Sequence, residues 1–130
     1  MSYLLDTSVA IDLRDLRGDT AIRIARLEDI PFISAITKVE LEGGVETDKL
    51  VSGQRRRALD ALLRRLTVID FSSEMADIYG QIVAQAGFNR RKIIDRMIAA
   101  TAMKQNFILI TSNGKDFADI DGLKLEIWEQ

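Results

Sequence analysis

The 130-residue sequence suits one core, and its 47% apolar residues are enough to fill it, which argues against disorder. It has no cysteine and no histidine, so disulfides, thiolate chemistry, Ser-His-Asp triads, histidine bases and nearly all zinc sites are excluded. Net charge is −2, no apolar run is long enough to span a bilayer, and the lack of cysteine fits a cytoplasmic protein, while the lack of histidine leaves catalysis to carboxylates, hydroxyls, Lys/Arg or a bound hard cation.

Short β-like runs alternate with helical stretches along the chain, the pattern of a parallel α/β sheet in one domain over residues 1–130. Ser2 to Leu5 reads as the first strand and stops on Asp6, followed by Thr7 and Ser8. A helix is expected from Ser8 to Leu16, closed by Gly18, and a second from Thr20 to Asp29, broken by Pro31. Phe32 to Ser34 is the second strand. Thr37 opens a third helix through Val39, Leu41 and Val45, weakened by Gly43-Gly44. From Gly53 to Leu66 the leucines share one face and arginines fill the other. Thr67 to Ile69 is the third strand, Ser72 caps a helix to about Ala86, and Gly87 to Asn89 turn the chain. Lys92 to Gln105 is apolar almost all round, the signature of a central, buried helix. Phe107 to Ile110 and Leu123 to Ile127 complete the strands, with a helical turn at Lys115 to Phe117 between them.

Four acids recur at matching places. Asp6 follows the first strand, Glu40 lies early in the third helix, Asp95 lies in the first turn of the apolar helix, and Asp116 follows the fourth strand. In open α/β sheets ligands bind beyond the carboxyl ends of the strands, where these positions can converge. Each acid alone has a plain structural use. Asp6 can cap a helix, and Asp95 can pair with Arg91 or Arg96 or sit at the positive end of the helix dipole. Together, hard oxygen donors held close repel one another until a cation such as Mg²⁺ or Mn²⁺ joins them. Such an ion orients a water, lowers its pKa and stabilises a leaving phosphodiester oxygen, none of which needs histidine.

Four segments carry a family resemblance: Leu5-Asp6-Thr7-Ser8-Val9; Ile36-Thr37-Lys38-Val39-Glu40-Leu41, with Gly43 and Gly44 after it; Asp95-Arg96-Met97-Ile98-Ala99-Ala100-Thr101-Ala102; and Ile110-Thr111-Ser112-Asn113-Gly114-Lys115-Asp116-Phe117. In order and spacing they cover nearly the whole chain, which resembles the PIN-domain ribonucleases of the VapC toxin type. The resemblance implies a PIN-like three-layer α/β fold with a five-stranded parallel sheet of order 3-2-1-4-5 flanked by helices. It implies metal-dependent endonucleolytic cleavage of RNA by a water nucleophile, with Mg²⁺ or Mn²⁺ as cofactor. By motif position Asp6, Glu40, Asp95 and Asp116 are the expected catalytic acids. Asp6, Asp95 and Asp116 are the expected ligands, and Asp116 is the most variable member, its role shared with Asn113. Thr7, Ser8, Thr111 and Asn113 are expected to hold waters or shape the loop.

The resemblance also implies a small cognate antitoxin whose tail enters a basic groove, a homodimer, and contact with promoter DNA only through the antitoxin. The double glycine after Glu42 is a mild departure, and Glu42 is itself a candidate outer acid, more simply read as a surface residue. Arg55, Arg56, Arg57, Arg90, Arg91, Lys92 and Arg96 are the candidate contacts to RNA phosphates or antitoxin. Tyr3, Phe88 and Trp128 are candidate stacking residues, with a core or interface role the simpler reading.

Two other readings compete. One is a PIN-like module that binds RNA or protein without cleaving. The other is a receiver-like Mg²⁺-binding signalling domain with Asp70 as phosphate acceptor; it lacks the acid pair expected beside Asp6.

Overall fold

The computed structural model describes residues 1–129. Five parallel strands form one sheet in the order β3-β2-β1-β4-β5: β1 is Tyr3–Leu5, β2 Phe32–Ser34, β3 Thr67–Ile69, β4 Ile108–Thr111 and β5 Leu125–Ile127. The helices are α1 (Thr7–Arg14), α2 (Thr20–Ala25), α3 (Ala35–Val45), α4 (Ser52–Arg65), α5 (Ser73–Ala86) and α6 (Ile93–Gln105), with 3₁₀ turns at Arg90–Lys92 and Gly114–Asp116. The expected class, strand order and flanking helices are therefore present.

Neighbouring residues on a strand point to opposite faces, so a sheet covered on both sides needs consecutive apolar residues. The central strands supply them. Leu5 and Ile110 join Val9, Leu13, Leu59, Leu62 and Trp128 in one core cluster; Leu4 and Leu109 join Met75, Ile82, Ile98 and Phe117 in the other. Ala99, Ala100 and Ala102 are fully buried, and such small side chains let α6 lie close against its neighbours.

The bounds of α2 and α3 differ from the sequence expectation for identifiable reasons. α2 stops at Ala25 because the amides of Arg26 and Leu27 reach back only to the carbonyls of Arg23 and Ile24, and Pro31 then favours extended backbone before it. α3 starts at Ala35, not Thr37, because the Ser34 hydroxyl at the end of β2 accepts the Thr37 amide at 2.9 Å and acts as the cap. α3 then runs through Gly43 and Gly44, whose Cβ positions meet nothing within 4 Å. No helix among the described residues is long and apolar enough to cross a membrane.

Candidate active site

β1 and β4 lie side by side, so the residues just past their carboxyl ends share one mouth. Asp6 is the first residue past β1. Its backbone amide bonds the Ile110 carbonyl at 3.0 Å, and it caps α1 by accepting the Val9 amide on Oδ1 at 3.0 Å. Ser8 Oγ donates to the same oxygen at 2.6 Å, and the buried Thr111 hydroxyl donates to Oδ2. Thr111 is fixed in turn: its Oγ1 accepts the Asn113 amide at 2.9 Å and its carbonyl accepts the Trp128 amide at 2.7 Å. Asp6 is thus both the helix cap of the plain reading and a fixed acid at the mouth. Burial raises its pKa, and the Ser8, Thr111 and Val9 donors work the other way.

A second hydroxyl chain holds Glu40. The Thr7 hydroxyl donates to Glu40 Oε1 and lies 3.1 Å from Thr37 Oγ1, which is 3.3 Å from Ser34 Oγ. Ser34 and Thr37 are buried and were expected only as a strand end and a helix start, not as site residues; the available signal was a hydroxyl pair three apart where a strand meets a helix.

Asp95 lies in the first turn of α6, and Asp116 ends the 3₁₀ turn after β4. Neither side chain has a hydrogen bond or ion pair among the described residues. Asp95 is half-buried, and its carboxyl is pushed up to about 6 by burial first, then by Asp116, Asp6 and Glu40, with Lys92 opposing weakly. Four acids from separate elements therefore share one electrostatic neighbourhood with a deficit of positive charge. They line the mouth rather than closing a cage: among the described residues, no three such groups already meet at a common ion position. The donor set is nonetheless all oxygen, matching a hard divalent cation, and like charges left facing each other are what such an ion relieves.

A hollow of about 540 Å³ adjoins the mouth, lined by Ser112, Asn113, Lys115, Asp116, Ile127 and Glu129. Asn113 is exposed and its side chain caps nothing. A separate cleft of about 390 Å³, between Leu13, Ile24, Leu27, Leu62 and Leu66, contains none of the four acids.

The structure revises the basic residues. Arg96 is 1% exposed and is not an RNA contact; its guanidinium donates to the Gly87 carbonyl at 2.5 Å and to Asp119 Oδ2 at 3.2 Å. Nor does Arg91 or Arg96 pair with Asp95. Arg55 bonds the Gly44 carbonyl and Thr47, and Arg56 bridges Glu42 and Asp60, so both are engaged where α3 meets α4 and Glu42 is a surface ion-pair residue. Lys92 bonds Asp119 at 3.2 Å. Arg57, Arg90 and Arg91 are exposed. Trp128 is buried in the core with Arg23 stacked 4.3 Å over its ring, and Tyr3 packs against the same cluster. Phe88 is 66% exposed and outside the core.

A parallel sheet of this order, with flanking helices and acids gathered at its carboxyl edge, defines a PIN-like α/β class. The family model described as PIN domain matches residues 3–123. Ribonuclease VapC2 of Rickettsia felis is 31% identical, with all of both chains covered. The tRNA(fMet)-specific endonuclease VapC of Shigella flexneri is 26% identical over 98% of each chain. Among solved structures, VapBC2 from Rickettsia felis bound to a promoter DNA fragment superposes with a TM-score of 0.87 at 31% identity, covering 99% of this chain and 100% of that one. The chain belongs to the PIN-domain family and, within it, to the VapC ribonucleases of VapBC toxin–antitoxin systems.

Proposed function

We propose that this chain is a divalent-metal-dependent endoribonuclease whose site is Asp6, Glu40, Asp95 and Asp116. The supporting observation is the environment of Asp95, whose carboxyl is raised to about 6 by burial and by the other three acids. A structural acid is normally paired, because burying an unpaired charge is costly. Asp95 and Asp116 instead carry free oxygens.

A bound Mg²⁺ or Mn²⁺ would orient the attacking water, lower its pKa and screen the charge of the phosphodiester oxygens. Asp6, Asp95 and Asp116 are its assigned ligands. Asp6 is held by Ser8, Thr111 and the Val9 amide, so it contributes a donor whose position is set before metal arrives. Glu40, the most exposed of the four and tethered by Thr7, is assigned the proton released as water attacks phosphorus. Thr7, Ser8 and Thr111 orient the acids, and Asn113 borders the hollow beside them, which has room for a neighbouring nucleotide. Arg57, Arg90 and Arg91 are the exposed cations left to meet RNA phosphates.

The chain is read as the toxin half of a pair, with a cognate antitoxin, a homodimeric state and promoter DNA contact through the antitoxin alone. The Shigella relative's activity on initiator tRNA makes that RNA the first substrate to try. The test is cleavage of total RNA and of tRNA(fMet) by antitoxin-free protein, with Mg²⁺ or Mn²⁺, with excess chelator, and with Asp6→Asn in parallel. Discrete cuts are expected with metal, falling by about 100-fold or more in the variant, the scale of losing a group at the reacting centre. A folded, metal-loaded protein that binds RNA and makes no cut would favour a non-cleaving binding module instead.

A further inference from the structure

Arg96 follows Asp95 directly in sequence, yet it turns away from the mouth and is almost wholly enclosed. Its two terminal nitrogens join three pieces of chain. One donates to the Gly87 carbonyl at the end of α5, the other to Asp119 Oδ2 in the segment between β4 and β5, and Arg96 itself belongs to the first turn of α6. Gly87 sits at φ +87, a left-handed conformation that glycine adopts without strain, and the chain turns there after α5.

Asp119 also receives Lys92 at 3.2 Å, and its backbone carbonyl accepts Gln85 Nε2 at 3.0 Å. The amide of Asp121 bonds back to Gln85 Oε1 at 3.2 Å. Four contacts thus tie this one short segment to α5 and α6. Within it, Asp116, Phe117 and Ile120 are linked by successive turns: the Asp116 amide bonds the Asn113 carbonyl, Phe117 bonds Gly114, and Ile120 bonds Phe117. Asp119 thus lies three residues beyond Asp116 within one short run of turns.

The bond set is incomplete in an informative way. Arg96 Nε and Asp119 Oδ1 are both buried with no partner. An ion pair with one partner enclosed and polar atoms orphaned is weak evidence for stability, since apolar residues of similar volume commonly serve as well or better in buried positions. A bridge kept under those conditions calls for a role in geometry.

We propose that the Arg96–Asp119 bridge is the positioning element of the site: it clamps the segment carrying Asp116 onto the start of α6 carrying Asp95, and so fixes the spacing at which these two carboxylates meet a divalent cation. The inference rests on the site reading above and adds to it residues that touch neither metal nor RNA.

Asp119→Asn tests it. Asp119 keeps 39% side-chain exposure, so this variant retains room to solvate, whereas Arg96→Met alters an enclosed position and serves as the second variant. Mn²⁺ affinity is measured by calorimetry, and amide hydrogen exchange is followed over residues 113–122. Groups that orient metal ligands typically change affinity by about 10- to 100-fold when lost. Asp119→Asn is expected to weaken Mn²⁺ binding by about that factor, to speed exchange across the segment, and to recover cleavage when Mn²⁺ is raised to saturation. Leu62→Val, a truncation in the other core cluster, should lower the melting temperature and leave Mn²⁺ affinity unchanged. Wild-type Mn²⁺ affinity in both Asp119→Asn and Arg96→Met, with Asp95→Asn impaired, would overturn the clamp alone. If Asp95→Asn binds Mn²⁺ as tightly as the wild type, the site reading falls and the clamp with it.

Discussion

Two charged regions of this molecule obey opposite rules. Where α3 meets α4, charges alternate in sign and are satisfied: Arg56 bridges Glu42 and Asp60, Lys49 meets Glu46, and Arg55 closes on the Gly44 carbonyl. At the carboxyl edge of the sheet, four acids face one another while the nearest buried cation, Arg96, is turned to Asp119. The first region is ordinary surface chemistry, screened by solvent and salt and of little consequence for stability. The second is locally unfavourable, and a molecule keeps such an arrangement where function requires it. That contrast supports the proposed placement of the site at the second region.

The contrast can be broken most strongly at Asp6, the one mouth acid that is also structural. Asp6→Ala removes the cap on α1 and strands the Ser8 and Thr111 hydroxyls, costing about 2 kcal/mol of stability. Asp6→Asn keeps an acceptor for the Val9 amide and should stay within about 1 kcal/mol of wild type. Urea melts of the two variants in chelator check this; equal losses would mean that the negative charge itself, and not the cap, holds the fold.

Next in size is the pH dependence of the metal-free protein. Burial and the three neighbouring acids push the Asp95 carboxyl up to about 6 from an ordinary 3.8, so the native state binds its proton more tightly than the unfolded chain does. Stability in chelator should therefore rise as pH falls through about 6, with that contribution complete below the unfolded value. Allowing for partial solvent screening, the gain is about 1 kcal/mol. Saturating Mg²⁺ should flatten the trend, because the ion needs the carboxylate. Urea midpoints at pH 7.5 and 5.5, with chelator and with Mg²⁺, decide it; a metal-free protein less stable at the lower pH contradicts the sign.

The smallest effect concerns the wall of the hollow. A Cβ at Gly114 would lie 2.4 Å from Ile127 Cδ1, the end of a side chain that is 48% exposed. Ile127 can swing outward, so Gly114→Ala should cost about 1 kcal/mol or less, and adding Ile127→Ala should remove the clash. A double variant no better than the single one would place the strain in the backbone of the turn.

The sheet was legible in the sequence because its central strands are buried on both faces and read as unbroken apolar runs, Tyr3 to Leu5 and Ile108 to Ile110. The nearness of the four acids was legible because their places followed from the strand ends and from the family resemblance. Arg96 was misread because composition makes arginine a surface cation; what encloses it is Asp119, 23 residues away, a contact no local pattern reveals. Ser34 was read only as the end of a strand because Ser34 and Thr37 are both good caps, and which one is used depends on where β2 releases the chain. The charge run on α4 looked like a phosphate-binding face, yet its first two arginines find partners on α3 and within α4 that only packing brings near.

The central claim is that the mouth is a cation site held open at a cost. It is tested most directly by melting temperatures of the wild type and Asp95→Asn, each in chelator and in saturating Mn²⁺. The wild type should gain stability with Mn²⁺, while Asp95→Asn should melt higher than wild type in chelator and gain little from the ion. A wild type indifferent to Mn²⁺, or an Asp95→Asn variant less stable than wild type in chelator, would make Asp95 a structural residue and contradict the claim.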